Sequence, residues 1–281
     1  MKHYITLEEA KLTKKHYENF PVATFLFPKK LRNAATILYL FARNADDIAD
    51  EGNTSKKQRL IKLNKYQKNL NKIKKNNPDI PNLFKDINKI IKNHSIPMVL
   101  FDRFIKAFKQ DVIKNKYKNF NELIDYCNNA ASPAGHMILG LFKANSKKNI
   151  TYSNYICQAL ALIGMTQDFR EDYLKGRIYI PTEEMKKFNL KASDIEINNF
   201  TSDWALFITF WLSRIELILK KGTPLEIKTK GRLRLQVRII IAASRLLLKR
   251  MNQEKNNLFL SSPRLSKIDW VLLFCRCILT K

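Results

Sequence analysis

Apolar residues recur at three- and four-residue steps along nearly the whole chain of 281 residues, and this period predicts helices rather than strands. Only 7 glycines occur, and no stretch alternates apolar and polar residues over a useful length. The phosphate-binding patterns G-x-G-x-x-G and G-x-x-x-x-G-K-[ST] do not occur in the sequence, which weighs against Rossmann and P-loop folds. We therefore predict one all-α domain over residues 1–281.

Two segments illustrate the predicted helices. Residues 34–42, AATILYLFA, carry no charge, which predicts a helix that is buried on nearly all sides. The segment from Lys56 to Lys75 holds nine basic and no acidic residues over an apolar period, which predicts an amphipathic surface helix with a solvated basic face. Further helices are predicted over about 83–93, 97–115, 120–142, 151–174, 201–221 and 226–251.

The chain is strongly basic, with 51 Lys and Arg against 25 Asp and Glu and a formal charge of +26. A compositional bias towards Lys, Asn and Ile does not explain why bases outnumber acids two to one. An anionic partner is therefore expected, and both a nucleic acid and an anionic membrane surface fit. Charge by itself does not choose between them.

The two termini bear on where the protein resides. The first residues lack the apolar stretch of a signal peptide, and no segment reaches the roughly 18 apolar residues of a membrane-spanning helix. We expect a cytoplasmic protein, either free or peripheral on the inner face of the membrane. The tail over 264–281 is apolar from Ile268 to Leu279 apart from two charges, and it is either a final helix docked on the core or an interfacial anchor.

Two acidic clusters break the local rules for helices. Asp46 and Asp50 lie four residues apart, as do Asp168 and Asp172, so each pair shares one helix face at about 5–6 Å between Cβ atoms. Each cluster follows an uncharged apolar stretch and precedes a glycine of the kind that ends helices. Like charges at this spacing cost a few tenths of a kcal/mol. Carboxylates near a helix C-terminus also oppose the helix dipole, at a cost of about 0.3–1 kcal/mol.

Such an arrangement, present twice in a basic chain, points to function rather than to structure. If the helices bring the clusters face to face, four or more carboxylates converge and require cations, and hard oxygen ligands on rigid helices suit Mg²⁺ beside a phosphate group. Two independent, exposed acidic turns are the structural alternative. A di-iron bundle is disfavoured because it needs Glu-x-x-His pairs, and a zinc site because the cysteines form no C-x-x-C.

Five sequence blocks carry a family resemblance. They are HYENFPVA at 16–23, YLFAR at 39–43, DDIAD at 46–50, YC with PAG within 126–135, and QDFREDYLKGRIYIP at 167–181. Together and in this order they make the chain resemble the squalene and phytoene synthase family over about residues 15–280. The resemblance implies an isoprenoid-synthase-like helical bundle around a central apolar cavity.

The resemblance also implies the roles of individual residues. Asp46, Asp50, Asp168 and Asp172 match the positions that bind a Mg²⁺ cluster, and Asp47 and Tyr39 complete the catalytic group. The implied substrate contacts are His16, Asn19, Phe20, Arg43, Tyr126, Gly135, Arg177 and Tyr179.

Within the family the blocks look most like the HpnC-type hydroxysqualene synthases of bacterial hopanoid synthesis. The implied reaction converts presqualene diphosphate and water to hydroxysqualene and diphosphate. A sister reaction, head-to-head condensation of prenyl diphosphates to presqualene diphosphate, squalene or phytoene, stays open. So does the oligomeric state. A non-catalytic basic helical protein that binds membrane or nucleic acid would explain the charge but not the acidic clusters, so no nucleic acid is expected.

Three positions depart from the family pattern. Gly164 stands where the family usually has a metal-binding Asn, Ala161 where it usually has Gln, and His136 where HpnC-like chains commonly have Arg. The four aspartates are intact. The departure at Gly164 therefore puts the occupancy of one metal site in doubt, rather than the site as a whole.

Overall fold

The chain folds into packed α-helices, described by a computed structural model over residues 26–260 and 262–279. Over these residues there is no β-strand, and the extended backbone contributes a single parallel bridge between Lys116 and Ile178. The prediction of an all-α fold is confirmed. The helices are α1 (Lys29–Asp50), α2 (Lys56–Lys74), α3 (Asn82–His94), α4 (Val99–Ile113), α5 (Phe120–Ala130), α6 (Ser132–Leu141), α7 (Lys147–Gln167), α8 (Phe169–Leu174), α9 (Thr182–Lys187), α10 (Ser193–Glu196), α11 (Ser202–Gly222), α12 (Pro224–Lys228), α13 (Gly231–Gln253) and α14 (Lys267–Leu279), with a 3₁₀ turn at Lys255–Asn257.

One hydrophobic core joins α1, α2, α3, α4 and α6. Phe41 at its centre is fully buried, and its ring meets those of Phe84 and Phe101 edge-on, with centroids 6.1 and 5.1 Å apart. The basic helix α2 contributes Leu63 and Leu70 to this core. Because α1 packs against α2, α3, α4 and α6, the acidic residues at its C-terminal end are held on a rigid element.

A second core joins α5, α7, α11 and α13. Trp211 on α11 is buried against α7, and its indole Nε1 donates a hydrogen bond to Thr166 Oγ1 at 3.0 Å. Since both polar groups are buried, this bond removes a desolvation cost that either would carry alone. The pairing fixes the register of α7, which leads into the second acidic cluster.

Most predicted helices occur, but three boundaries were wrong. The segment 120–142 is broken at Ala131, because Pro133 at the start of α6 lacks an N–H and cannot continue a helix from α5. The segment 151–174 is broken at Asp168, which joins α7 to α8. The long helix predicted from residue 226 begins at Gly231, whose φ of +56° lies outside the helical region.

The C-terminal helix α14 is docked on one face and exposed on the other. Trp270, Leu273 and Cys277 are buried against α13. The exposed face, which we call the α14 stripe, consists of Ile268, Val271, Leu272, Ile278 and Leu279. In the part of the chain that the structure describes, none of the helices is both long enough and apolar enough to span a bilayer.

A cavity of about 410 Å³ lies where the two cores meet. Helices α1, α6, α7, α13 and α14 supply its walls, which are almost entirely apolar. A volume of this size falls in the range of ligand-binding cavities. The expected apolar cavity is therefore present, while the extent of the domain as residues 1–281 stays a prediction.

Two helical glycines offer a matched test of this packing. A Cβ atom on Gly135 would lie 2.3 Å from Ser153 Oγ and 2.7 Å from Cys157 Sγ, whereas one on Gly164 would meet nothing within 4 Å. We expect Gly135→Ala to lower the free energy of unfolding by about 1–3 kcal/mol through overpacking of α6 against α7. Gly164→Ala should raise it by about 0.5–1 kcal/mol because alanine loses less backbone entropy. Urea unfolding measures both, and equal effects would contradict the close contact of α6 with α7.

Candidate active site

The first acidic cluster forms the last two turns of α1. Arg43 lies one turn before it and neutralises part of its charge: Arg43 Nη1 is 3.1 Å from Asp46 Oδ2, and Nη2 is 2.7 Å from Asp47 Oδ1. The same guanidinium also pairs with Glu51, just beyond the end of the helix. One arginine therefore balances three carboxylates, which leaves this helix end negatively charged.

The second acidic cluster lies at the junction of α7 and α8. Asp168 ends one helix and precedes the other, yet the backbone N–H of Asp172 still donates to the Asp168 carbonyl at 2.8 Å, so the two residues stay one turn apart. The chain then reverses at Gly176, whose φ of +77° is in the left-handed region that glycine adopts without strain. This turn directs Arg177 back towards the acidic residues, where its N–H donates to the Asp172 carbonyl.

Arg177 joins the two clusters. Its Nη1 and Nη2 donate to Asp50 Oδ1 and Oδ2 at 2.6 and 2.8 Å, and Nη2 lies 3.6 Å from Asp172 Oδ1. Lys175 Nζ adds a contact of 3.5 Å to Asp50 Oδ2. The acidic residues of α1 and α8 thus face each other across one guanidinium, an arrangement that two independent exposed turns would not produce.

The pKa values of the aspartates show how crowded this site is. Burial, and then the neighbouring charge of Asp50, raise the pKa of Asp46 to about 6. Burial also raises the pKa of Asp172 to about 7, with Asp168 and Asp50 adding to the effect against the lowering influence of Arg177. For Asp50, burial acts in the same direction, but the hydrogen bonds and charge of Arg177 hold its pKa below the ordinary value. The carboxylates of the two segments therefore interact with one another.

The donor chemistry of these residues suits a divalent cation. Residues 43–51 and 168–177 together carry seven acidic and four basic side chains, an excess of negative charge within a chain of +26. Hard carboxylate oxygens are the ligands that Mg²⁺ prefers. Within residues 26–260 and 262–279, however, no three acidic, Cys or His side chains are gathered closely enough to hold a metal ion. Arg43 forms an ion pair with Asp46, and Arg177 forms one with Asp50.

Tyr39 connects the charged site to the apolar cavity. It lies one turn before Arg43 on α1 and lines the cavity together with Ala42. Burial raises the pKa of the Tyr39 hydroxyl, and the charges of Asp47 and Asp46 act in the same direction. The apolar surroundings and the acidic cluster therefore both affect this side chain. The cavity thus begins where the acidic cluster begins.

A buried carboxyl group next to the site was missed by the sequence analysis. Asp111 on α4 accepts hydrogen bonds from Tyr126 Oη at 2.8 Å and from Tyr179 Oη at 3.4 Å. Burial raises the pKa of Asp111 to about 7 against the lowering effect of the Tyr126 bond and of Arg177. The available signal was an acidic residue on the apolar face of α4, three positions after buried Phe108.

The remaining predicted residues fall into two groups. Tyr126 and Tyr179 meet at Asp111, and Gly135 lies in the cavity wall beside Ser153. His16, Asn19 and Phe20 lie outside the described residues. At Gly164, one turn before Asp168, an added Cβ atom would meet nothing within 4 Å, so there is open space at this position.

Comparison with known sequences gives a consistent result. The family model for squalene/phytoene synthase matches residues 13–270. A hydroxysqualene synthase from Zymomonas mobilis is 36% identical over 179 residues, which is 63% of this chain and 59% of that protein. A phytoene synthase from Mycobacterium tuberculosis is 26% identical over 64% of this chain and 58% of its own length. The matches therefore span less than two thirds of these two relatives.

Solved structures share the architecture. The squalene synthase HpnC from Alicyclobacillus acidocaldarius superposes with a TM-score of 0.80 at 28% identity, covering 88% of this chain and 92% of that one. A dehydrosqualene synthase in complex with a ligand gives a TM-score of 0.85 at 18% identity, over 96% of this chain and 94% of that one. The second likeness concerns the fold alone.

Asp111 should make stability depend on pH. Its pKa rises from 3.8 in the unfolded chain to about 7 in the fold, so between these values the folded state binds more protons and the free energy of unfolding falls as pH rises. Relative to Asp111→Asn, the wild type should lose roughly 1–4 kcal/mol from pH 4 to pH 7. Urea unfolding in EDTA at several pH values measures this difference. A constant difference over the window would mean that Asp111 is not held protonated.

Proposed function

Because this chain belongs to the squalene/phytoene synthase family, we propose that it is an isoprenoid synthase that converts presqualene diphosphate and water to hydroxysqualene and diphosphate. The observation that carries the proposal is the meeting of two acidic clusters at the start of a large apolar cavity. A charged end and an apolar interior match a substrate that has a diphosphate head and a C30 hydrocarbon body.

Asp46, Asp50, Asp168 and Asp172 are the proposed ligands of Mg²⁺, with Asp47 beside them. Bound Mg²⁺ would neutralise the diphosphate leaving group, the electrostatic contribution that such ions make to phosphate chemistry. The excess of acidic residues supports this assignment. The carboxylates need not transfer protons, since their role is to hold positive charge beside the substrate.

Arg43 and Arg177 are suited to bind the diphosphate directly. A guanidinium offers a planar pair of N–H donors that matches phosphate oxygens, and Arg177 is largely buried, where such bonds are strong. Both arginines already contact carboxylates of the site, so they lie close to the charge that the substrate would bring. His16 and Asn19 are proposed as further contacts.

The apolar cavity would protect the cation that forms on ionisation. The carbon–oxygen bond breaks with its electron pair on the diphosphate, water then adds to the cation, and a proton of that water leaves to the diphosphate. Tyr39 and Phe104 line the cavity, and aromatic faces stabilise cations by about 0.5–2 kcal/mol each. Phe20 is proposed for the same role. Because its walls are almost entirely apolar, the cavity would exclude bulk water and so prevent side reactions of the cation with water.

A sister reaction is the second candidate. The 26% identity to a phytoene synthase supports a reaction at the same site in which two prenyl diphosphates condense head to head. Formation of squalene requires a hydride donor such as NADPH, whereas water capture does not. The requirement for a reductant therefore distinguishes squalene formation from the proposed reaction.

Peripheral contact with an anionic membrane is proposed as well. The α14 stripe exposes five apolar side chains on a protein of charge +26, a combination that favours binding to negatively charged lipid. A C30 substrate and its product would partition into the same lipid phase. Attraction to anionic lipid would account for the basic charge without a nucleic acid.

Incubating the purified protein with presqualene diphosphate and Mg²⁺, with and without NADPH, tests the reaction. We expect hydroxysqualene without NADPH, identified by mass spectrometry of the extracted lipid.

Asp46→Asn and Asp168→Asn should each lower turnover at least about a hundredfold with unchanged helicity, because the bound positive charge is lost. Asp79→Asn, at an exposed surface ion pair with Lys72, is the matched control and should retain activity. Full activity of either site variant would refute the assignment, and presqualene diphosphate made from farnesyl diphosphate would favour the sister reaction.

Co-sedimentation with phosphatidylglycerol vesicles tests the membrane contact. Val271→Gln combined with Leu272→Gln should weaken binding at least about tenfold, since two exposed apolar side chains no longer enter the lipid. The matched control combines Leu217→Gln and Ile227→Gln, which are equally exposed on other helices. Equal losses in both double variants would show that α14 is not the contact.

A further inference from the structure

One side chain in the cavity wall does not fit its surroundings. The face of helix α13 that lines the cavity is a stripe at three- and four-residue steps: Leu233, Gln236, Val237 and Ile240. All of these residues except Gln236 are apolar. Gln236 is only 6% exposed. A carboxamide therefore occupies a position where the helical pattern calls for an aliphatic side chain.

The amide nitrogen of Gln236 lacks a hydrogen-bond partner among the residues that the structure describes. This Nε2 atom is fully buried, and within residues 26–260 and 262–279 it forms no hydrogen bond. Ser153, another polar side chain in the wall, differs because its hydroxyl interacts with the Cys157 thiol and lowers the pKa of that thiol against the stronger, raising effect of burial. A buried amide without a partner destabilises the fold, whereas a leucine at this position would not. A residue that destabilises the fold without a structural gain is typical of a ligand-binding position.

We propose that Gln236 hydrogen-bonds an oxygen atom inside the hydrocarbon cavity: the water that captures the cation, and then the hydroxyl group of the alcohol that results. The inference rests on the proposed function and extends it by naming a residue that selects alcohol over hydrocarbon. A carboxamide both donates and accepts, so it holds a single water with a lone pair free for the cation.

The chemistry of an amide suits this position better than that of an acid. As the new carbon–oxygen bond forms from the lone pair of the water, one proton leaves to the diphosphate, so Gln236 itself gains and loses nothing. A carboxylate here would add to the cation and form an ester. A neutral amide orients the water and remains unchanged, which makes Gln236 a positioning residue.

Ligand binding tests the inference without requiring turnover. Trp270 lines the cavity, so quenching of tryptophan fluorescence by hydroxysqualene and by squalene, in the same detergent, reports their affinities. Gln236→Leu should weaken hydroxysqualene binding about three- to tenfold and leave squalene binding unchanged or tighter. Gln236→Asn, which keeps the amide, should retain part of the preference. Ile240→Leu, a volume-conserving change on the same stripe, should affect both ligands equally.

Two further measurements separate a ligand contact from a structural role. The melting temperature of Gln236→Leu without ligand should rise, since an unpartnered amide is removed. With presqualene diphosphate, this variant should release less hydroxysqualene and more unhydroxylated C30 hydrocarbon, formed when the cation loses a proton instead.

Each outcome decides a different claim. A lower melting temperature, or an equal loss of affinity for both ligands, would overturn the role of Gln236. Selective binding of hydroxysqualene through Gln236, with no hydroxysqualene formed by the wild type, would support the contact and overturn the proposed reaction.

Discussion

The bidentate contact of Arg177 with Asp50 is the interaction on which the candidate site depends. These residues are 127 positions apart in sequence, and the guanidinium also reaches towards Asp172, so it holds the end of α1 against the segment that follows α8. Without it, the acidic residues of both segments would repel each other inside a partly buried site. Together with Arg43, which pairs with Asp46, Asp47 and Glu51, it offsets part of the charge of the seven acidic residues in the two segments.

Much of this arrangement was accessible from the sequence, because it follows from local rules. The apolar period predicted the all-α fold, and the basic helix at Lys56 was predicted to within one residue. The two acidic pairs stood out because their spacing and position are unfavourable for a helix, which is a property of the chain alone. Their roles as metal ligands stay a prediction, as do those of the residues around them.

Other features needed the three-dimensional structure. The break at Asp168 depends on how α7 and α8 pack, since the helical period continues through it. Asp111 and Gln236 each interrupt an apolar helix face, which the sequence shows, but only the structure shows that they are buried and which hydrogen bonds their side chains form or lack. Long-range contacts of this kind leave no spacing signature in a single sequence.

Helix α14 separates two apolar environments. Trp270 faces the cavity while Val271 and Leu272, the next residues along the chain, face outward, so the wall between interior and exterior is one helix thick, about 10 Å. If the outward face rests in lipid, a C30 molecule that passes between α14 and its neighbours never enters water. The rate at which an insoluble product leaves the cavity for the lipid would then depend on how readily α14 shifts, and not on the solubility of the product in water.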